Sequence, residues 1–124
     1  LPEADETGWT EFHDALIVAV ARTGEDLSVD IEGADTSEGS WDGVLTFRGV
    51  GAIEVDGQPA GELMKEGEDA DIYSLDFAEG VVSIFAKWTV SYRPLVEIYR
   101  SYRIGCRSLD WSKTRLREDL SRRP

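Results

Sequence analysis

Leu27-Ser28-Val29-Asp30-Ile31-Glu32 decides the fold class, because apolar and polar residues alternate through it without a break. Successive side chains of an extended chain point to opposite faces, so Leu27, Val29 and Ile31 are offered to a core while Ser28, Asp30 and Glu32 meet water. A helix would scatter the same residues round its circumference. Upstream, Ala15 to Arg22 is apolar on both faces and reads as a central strand, and Thr23-Gly24-Glu25-Asp26 reverses it into the Leu27 strand.

The same period continues downstream. Val44 to Val50 and Ala52 to Asp56 form an extended stretch broken by Gly49 and Gly51, which in strands mark a bulge or a close backbone approach. No helical pattern or further Gly and Lys follows them, so they do not read as a phosphate loop. Gly57-Gln58-Pro59-Ala60-Gly61 is a turn, and Gly67 to Asp71 reads as a polar acidic loop. Tyr73, Leu75 and Phe77 alternate with Ser74 and Asp76, and Ala78-Glu79-Gly80 then makes a three-residue hairpin loop to Val81. Val82, Ile84, Ala86, Trp88 and Val90 share one face of the next strand, and Leu95 to Cys106 follows Arg93-Pro94. Helical patterning is confined to the ends: a turn around Trp9 to His13, and an amphipathic helix from Asp110 to Arg123 with Leu116 and Leu120 four apart. The expectation is an all-β protein, an antiparallel sandwich or open barrel of about seven or eight strands with a short C-terminal helix. It is one domain over 1–124: an entry segment (1–14), a β core (15–108) and the helix (110–123), without which the sheet should still fold.

Composition excludes several classes. At 41% hydrophobic and 31% charged residues the chain is in the globular range, and its longest apolar run, Ala15 to Ala21, is far short of the roughly 18 to 20 residues that span a bilayer. No membrane is expected. The formal net charge of −12 repels phosphate backbones, so no nucleic acid is expected either, the basic stretch Lys113 to Arg123 being interrupted by Glu118 and Asp119. Cys106 is the single cysteine, and the sequence holds no Asn and hence no N-glycosylation acceptor; neither a disulfide nor a secretory route is called for, and the cytoplasm is the expected compartment.

Chemistry-bearing residues are few. His13, the single histidine, sits beside Asp14, but neighbours on an extended segment face opposite ways and no nucleophile pattern surrounds any Ser or Cys106. One His and one Cys do not build a transition-metal site. Glu66, Glu68, Asp69 and Asp71 cluster without the acid–glycine order of a calcium loop. Catalytic, cofactor-binding and metal-binding residues are therefore expected to be none, and no cofactor is expected. Trp41, in Glu38-Gly39-Ser40-Trp41-Asp42-Gly43, reads as a loop tryptophan open to a binding role alongside Asp42.

The charge is lopsided: residues 1–80 carry 21 acids and 3 bases, residues 81–124 carry 4 acids and 10 bases. Arg93, Arg100, Arg103 and Arg107 can pair with carboxylates on neighbouring strands, or the acidic face can steer a basic partner, or the two halves can match between copies.

Trp9-Thr10-Glu11-Phe12-His13-Asp14-Ala15-Leu16 resembles the Phe-His-Asp-Ala entry segment of small bacterial β-rich proteins, some of them grouped with immunity proteins of polymorphic toxin systems. The likeness covers about residues 9–33, with Leu16 to Ala21 and Leu27 to Glu32 in the places of the first two strands. It implies binding rather than catalysis, and makes Phe12, His13 and Asp14 an architectural motif that anchors the chain entry. The leading expectation is an immunity-like interaction protein that binds a basic protein partner through Trp41, Asp42, Glu66, Glu68, Asp69 and Asp71. Two alternatives stand beside it: a ligand-binding or enzymatic sandwich with an inter-sheet pocket lined by Trp88, Tyr92, Tyr99 and Tyr102, and a structural homo-oligomer that pairs through sheet edges.

Overall fold

The computed structural model describes residues 12–36 and 39–116. Its strands are β1 (Leu16–Thr23), β2 (Asp26–Thr36), β3 (Gly39–Arg48), β4 (Ile53–Val55), β5 (Gln58–Ala60), β6 (Asp69–Ala78), β7 (Val81–Tyr92), β8 (Leu95–Gly105) and β9 (Ser108–Leu116). All pairings are antiparallel, in one nine-stranded sheet of order β5-β4-β8-β7-β6-β1-β2-β3-β9. The sheet is open: β5 and β9 are its edges and do not pair with each other.

Alternation sets the inner face. Leu27, Val29 and Ile31 of β2, Leu45 and Phe47 of β3, and Val82, Ile84, Ala86 and Trp88 of β7 are all buried in a single cluster, so the two halves of the sheet fold over one core. They meet along two seams. At one, β1 and β6 share only the pairs Leu16↔Asp71 and Ile17↔Ala70. At the other, Gly51 and Arg107 donate backbone N–H groups to Gly105 and Arg48, and Gly105 donates to Ala52, each at 2.8 Å. These bonds join the β3·β9 and β4·β8 pairings into one ladder that turns a corner. Gly49 makes the corner possible, with a positive φ of 65° and the Arg107 guanidinium lying where a Cβ would sit.

The β1–β2 hairpin forms as the sequence predicts, with Gly24 at positive φ. The β6–β7 hairpin is one residue tighter than expected: Ala78 pairs with Val81, and Glu79 and Gly80 both take positive φ (54° and 77°), the geometry of a type I′ turn.

Several expectations are corrected. Nine strands are present among the described residues, because β9 is added and the expected turn at Gly57-Gln58-Pro59-Ala60-Gly61 is itself a small hairpin, β4–β5, tightened at Asp56 and Gly57. The C-terminal helix is overturned over residues 110–116, which form most of β9. Leu109 is buried and Trp111 packs against the core two positions on, and this period-two pair with a full ladder on β3 outweighs the spacing of Leu116 and Leu120. Residues 117–123 of that expected helix lie outside the described residues, as do Trp9 and Thr10 of the expected N-terminal turn. Asp69 and Asp71 belong to β6 rather than to a loop, and Trp41 and Asp42 to β3. Val90 leaves the inner face of β7 and is 41% exposed, because the register with β8 slips between Thr89 and Ser91.

Candidate functional site

The outer face of β6, β7 and β8 breaks the usual division of apolar in and polar out. Tyr73 (37% exposed), Phe85 (38%) and Tyr99 (49%) stand on it as a cluster with ring centroids 5.7 to 5.9 Å apart. Phe85 and Tyr99 stack at an interplanar angle of 19°, and Tyr73 meets both edge-on. Strand register explains the meeting. Phe85 lies opposite Ser74 and Ser101, and Tyr99 lies opposite Lys87, one outward position along. Tyr73 is the extra residue where the β6–β7 register slips between Ile72 and Ser74, and a bulge of this kind re-aims its side chain. Tyr73's hydroxyl, held against that of Tyr99, is the main cause that raises the Tyr99 phenol above its ordinary pKa.

Carboxylates border the rings. Lys87 is held by Glu97 at 3.2 Å and Asp71 at 3.5 Å, with a side chain only 19% exposed, and the hydrogen bond to Glu97 is the main cause that raises its ammonium pKa. That pair of acids is thus occupied from within. Glu68 and Asp69, beside them, have no ion pair among the described residues. The Asp69 carboxyl is raised above the usual range, first by burial and then by the charges of Asp71 and Glu68. Below the rings Asp76 lies opposite Ser83, again with no ion pair among the described residues.

The remaining expected residues are dispersed. Glu66 turns inward: Arg100 Nε donates to both its oxygens at 3.1 and 3.2 Å, and Tyr102 donates to it at 3.4 Å. Tyr102 accepts the indole N–H of Trp88 at 2.6 Å, and burial is the main cause that pushes its phenol up to about 12. Arg100 also reaches Asp56 at 3.2 Å. This chain of bonds ties the 61–68 loop to the sheet. Asp42 accepts the N–H of Gly33 at 3.2 Å and pairs with Arg115 at 3.3 Å, and the Trp41 ring lies under Lys113 with the ammonium 5.3 Å from its centroid. Both are part of the β2–β3–β9 seam, away from the aromatic cluster. Phe12 is fully buried and meets the Trp111 ring edge-on at 4.9 Å. His13 and Asp14 are exposed and pair with each other at 3.2 Å, while the entry is fastened by main-chain bonds: Asp14 N–H to Ile72 at 2.7 Å and Ile72 N–H to Ala15 at 2.9 Å.

Of the four arginines expected to pair, Arg100 does so fully and Arg103 reaches Glu54 at 3.9 Å, whereas Arg93 and Arg107 make no ion pair among the described residues. The inter-sheet pocket does not gather its expected lining: Trp88 and Tyr102 are bonded to each other in the core, Tyr99 is on the opposite face, and Tyr92 is 60% exposed at the β7–β8 tip. A cavity lined by Ala52, Glu54, Val81, Arg103 and Gly105 measures about 110 Å³, below the roughly 300 Å³ at which small-molecule sites begin. Among the described residues no group of three or more His, Cys, Asp and Glu is placed to hold a metal ion, and no helix is long and apolar enough to cross a membrane.

Sequence reasoning missed Tyr73 and Phe85. Phe85 was legible, since it falls between the inward Ile84 and Ala86 and so must point outward. Tyr73 was not, because its position depends on the bulge. No family model, curated protein or solved structure matches the chain.

Proposed function

We propose that this protein is a non-enzymatic binding module that receives a cationic protein partner on the outer face of β6, β7 and β8. One observation carries the reading: three exposed, mutually packed aromatic rings share the outer face with Asp69, which like its neighbour Glu68 has no ion-pair partner among the described residues. Aromatic anchors of this type supply the apolar area and rigid shape from which interface hot spots are made, and their faces attract Lys and Arg side chains. The acidic rim steers such a partner and rejects anionic ones. The entry segment's likeness to that of β-rich immunity proteins points to the same class, a chain whose work is to bind another protein. Of the acids first expected to make the contact, Asp69, Asp71 and Glu68 stay in the proposed surface, while Asp42 and Glu66 serve the fold.

The test is a photo-cross-linking amino acid placed at Phe85 or at Tyr99, irradiated in the native host, with adducts identified by mass spectrometry. A dominant adduct with one basic protein is expected from both positions and none from a control at Thr46 on β3. Adducts with acidic proteins, with a second copy of this chain, or equally from the control position would refute the proposal.

A further inference from the structure

The β7–β8 hairpin reaches past its neighbours. β6 pairs with β7 no farther than Asp69↔Thr89, and β4 pairs with β8 only over Ile53 to Val55 against Tyr102 to Ile104. Asp56 extends that second ladder by one step, donating its N–H to the Ser101 carbonyl at 2.7 Å and accepting the Ser101 N–H on its carboxylate at 2.8 Å. The chain then turns away at Gly57 into β5. Beyond this point the flank of β8 facing away from β7 has no strand beside it among the described residues.

The direction of each backbone group on that flank follows from its neighbours. Gly105 and Ser101 send their N–H and C=O groups to the β4 side, and in an antiparallel strand every second residue does the same. Tyr99 and Glu97 continue the series, and among the described residues no backbone partner takes their groups. Only the Tyr99 carbonyl is engaged, by Arg100 Nη1 at 3.3 Å. These same two residues put their side chains on the outer face, Tyr99 in the aromatic cluster and Glu97 at its acidic border.

We infer that an extended, lysine- or arginine-bearing segment of the protein partner adds itself as a strand along β8 at Glu97 and Tyr99. This rests on the proposed outer-face reading and supplies its docking mode. Backbone bonds fix the register, and a cationic side chain opposite Glu97 is placed beside the rings, where Glu97 and Asp71 together outweigh the one Lys87 charge they hold. The alternatives fit less well. A second copy of this chain would bring its own Glu97, Asp69 and Asp71 to the seam, and like charges across a strand pair oppose pairing. The β9 edge carries Lys113 and Arg115, which repel a cationic strand and guard that edge.

The experiment uses the whole chain, amide-assigned by NMR, titrated with an 11-residue peptide alternating Lys and Val and capped at both ends. The added strand is taken as antiparallel, in which the residue opposite Glu97 shares its face and turns its own N–H toward β8, so that residue is a Lys. Two further peptides carry N-methyl groups, one on every Lys and one on every Val. The expected result is slowed hydrogen exchange at the Glu97 and Tyr99 amides with the parent peptide, retained with the Val-methylated one and at least tenfold weaker binding with the Lys-methylated one. If all three peptides bind alike and shift only the Tyr73, Phe85 and Tyr99 ring resonances, strand addition is overturned and the outer-face reading stands. If no peptide moves either set at millimolar concentration, or only residues elsewhere respond, both are overturned.

Discussion

Replacing Tyr102 by Phe tests whether the bond between β7 and β8 inside the core carries stability. The ring stays; the hydroxyl that accepts the Trp88 N–H at 2.6 Å goes. Trp88 is 1% exposed, so no water replaces the lost acceptor, and a buried unsatisfied donor costs about 1–3 kcal/mol. The bond to Glu66 is long at 3.4 Å, and Glu66 keeps both contacts with Arg100, so that side of the network adds little. Phenylalanine is the more apolar ring and recovers some of the loss. The net expectation is about 1–2 kcal/mol, which for a chain of this size lowers Tm by roughly 4–8 °C. Urea and calorimetric unfolding of Tyr102→Phe, Trp88→Phe and the double variant would measure it. The double variant should lose less than the two single losses together, with a coupling of about 1 kcal/mol. Additive losses, or a Tyr102→Phe variant within about 0.5 kcal/mol of the parent, would refute the reasoning. The same phenol gives a pH signature. Its pKa is raised from about 10 to about 12 in the folded protein, so the stability it confers is complete below pH 10 and is lost as the pH climbs from 10 to 12. Absorbance titration of the tyrosinate band should show one of the four tyrosines ionising last, and Tyr102→Phe should abolish that step.

Other outcomes follow from single sites. Gly43→Ala places a methyl group against the Ser112 carbonyl and within 2.7 to 2.9 Å of the Trp111 ring, so β9 must shift; a loss of about 2 kcal/mol or more and a red shift of tryptophan fluorescence are expected. Deleting residues 110–124 strips most of β9 from β3 and uncovers Phe12 and Leu45, so cooperative thermal unfolding should disappear, whereas an appended helix would have left it intact. Asp69→Asn should raise Tm at pH 7, because a carboxyl held above its ordinary pKa favours the fold only while protonated. Its favourable contribution is present below about pH 4 and lost as pH rises, so the gain of the Asn variant should shrink toward zero at pH 3 in thermal scans. Phe85→Ser should leave Tm nearly unchanged and weaken capture of the cross-linked partner at least tenfold by surface plasmon resonance.

Period two was enough over Leu27 to Ile31 of β2 and Val82 to Trp88 of β7, whose inward residues are buried as alternation assigns them. The period failed where a backbone irregularity shifts it. Bulges at Tyr73 and Val90 move one residue each from the face that alternation assigns, and nothing in Ile72-Tyr73-Ser74 or Thr89-Val90-Ser91 announces a bulge in advance. β9 was misread because Ser112-Lys113-Thr114-Arg115 is polar on both faces, as suits an edge strand, and only the Leu109 and Trp111 pair carried the strand signal. Charge asymmetry was visible as a whole, but pairing is a matter of register. Asp42 and Glu66 look like any other surface acid until Arg115 and Arg100 are found beside them.

Local rules are broken in more than one place: the buried indole N–H groups of Trp41 and Trp111 have no hydrogen-bond partner among the described residues, and the β1–β2, β2–β3 and β3–β9 ladders each carry a register slip. In the core Trp88 and Tyr102 satisfy each other's polar groups, the inner position taken by Arg100 is answered by Glu66, and the tight turns use residues at positive φ. On the outer face of β6, β7 and β8 three rules fail together. Large rings face water, a bulge interrupts the ladder to aim one of them, and Asp69 is kept where burial and two like charges oppose its ionisation. The ionised Asp69 costs stability, which Asp69→Asn removes without touching the core, while Phe85→Ser removes an exposed ring at nearly constant stability. Departures from the local rules that gather on one exposed face are what a binding surface requires. A raised Tm in Asp69→Asn, a nearly unchanged Tm in Phe85→Ser and a weakened hold on the partner in both is the outcome this arrangement predicts. If Asp69→Asn and Phe85→Ser both kept full affinity for the cross-linked partner, the face would have no claim to the role.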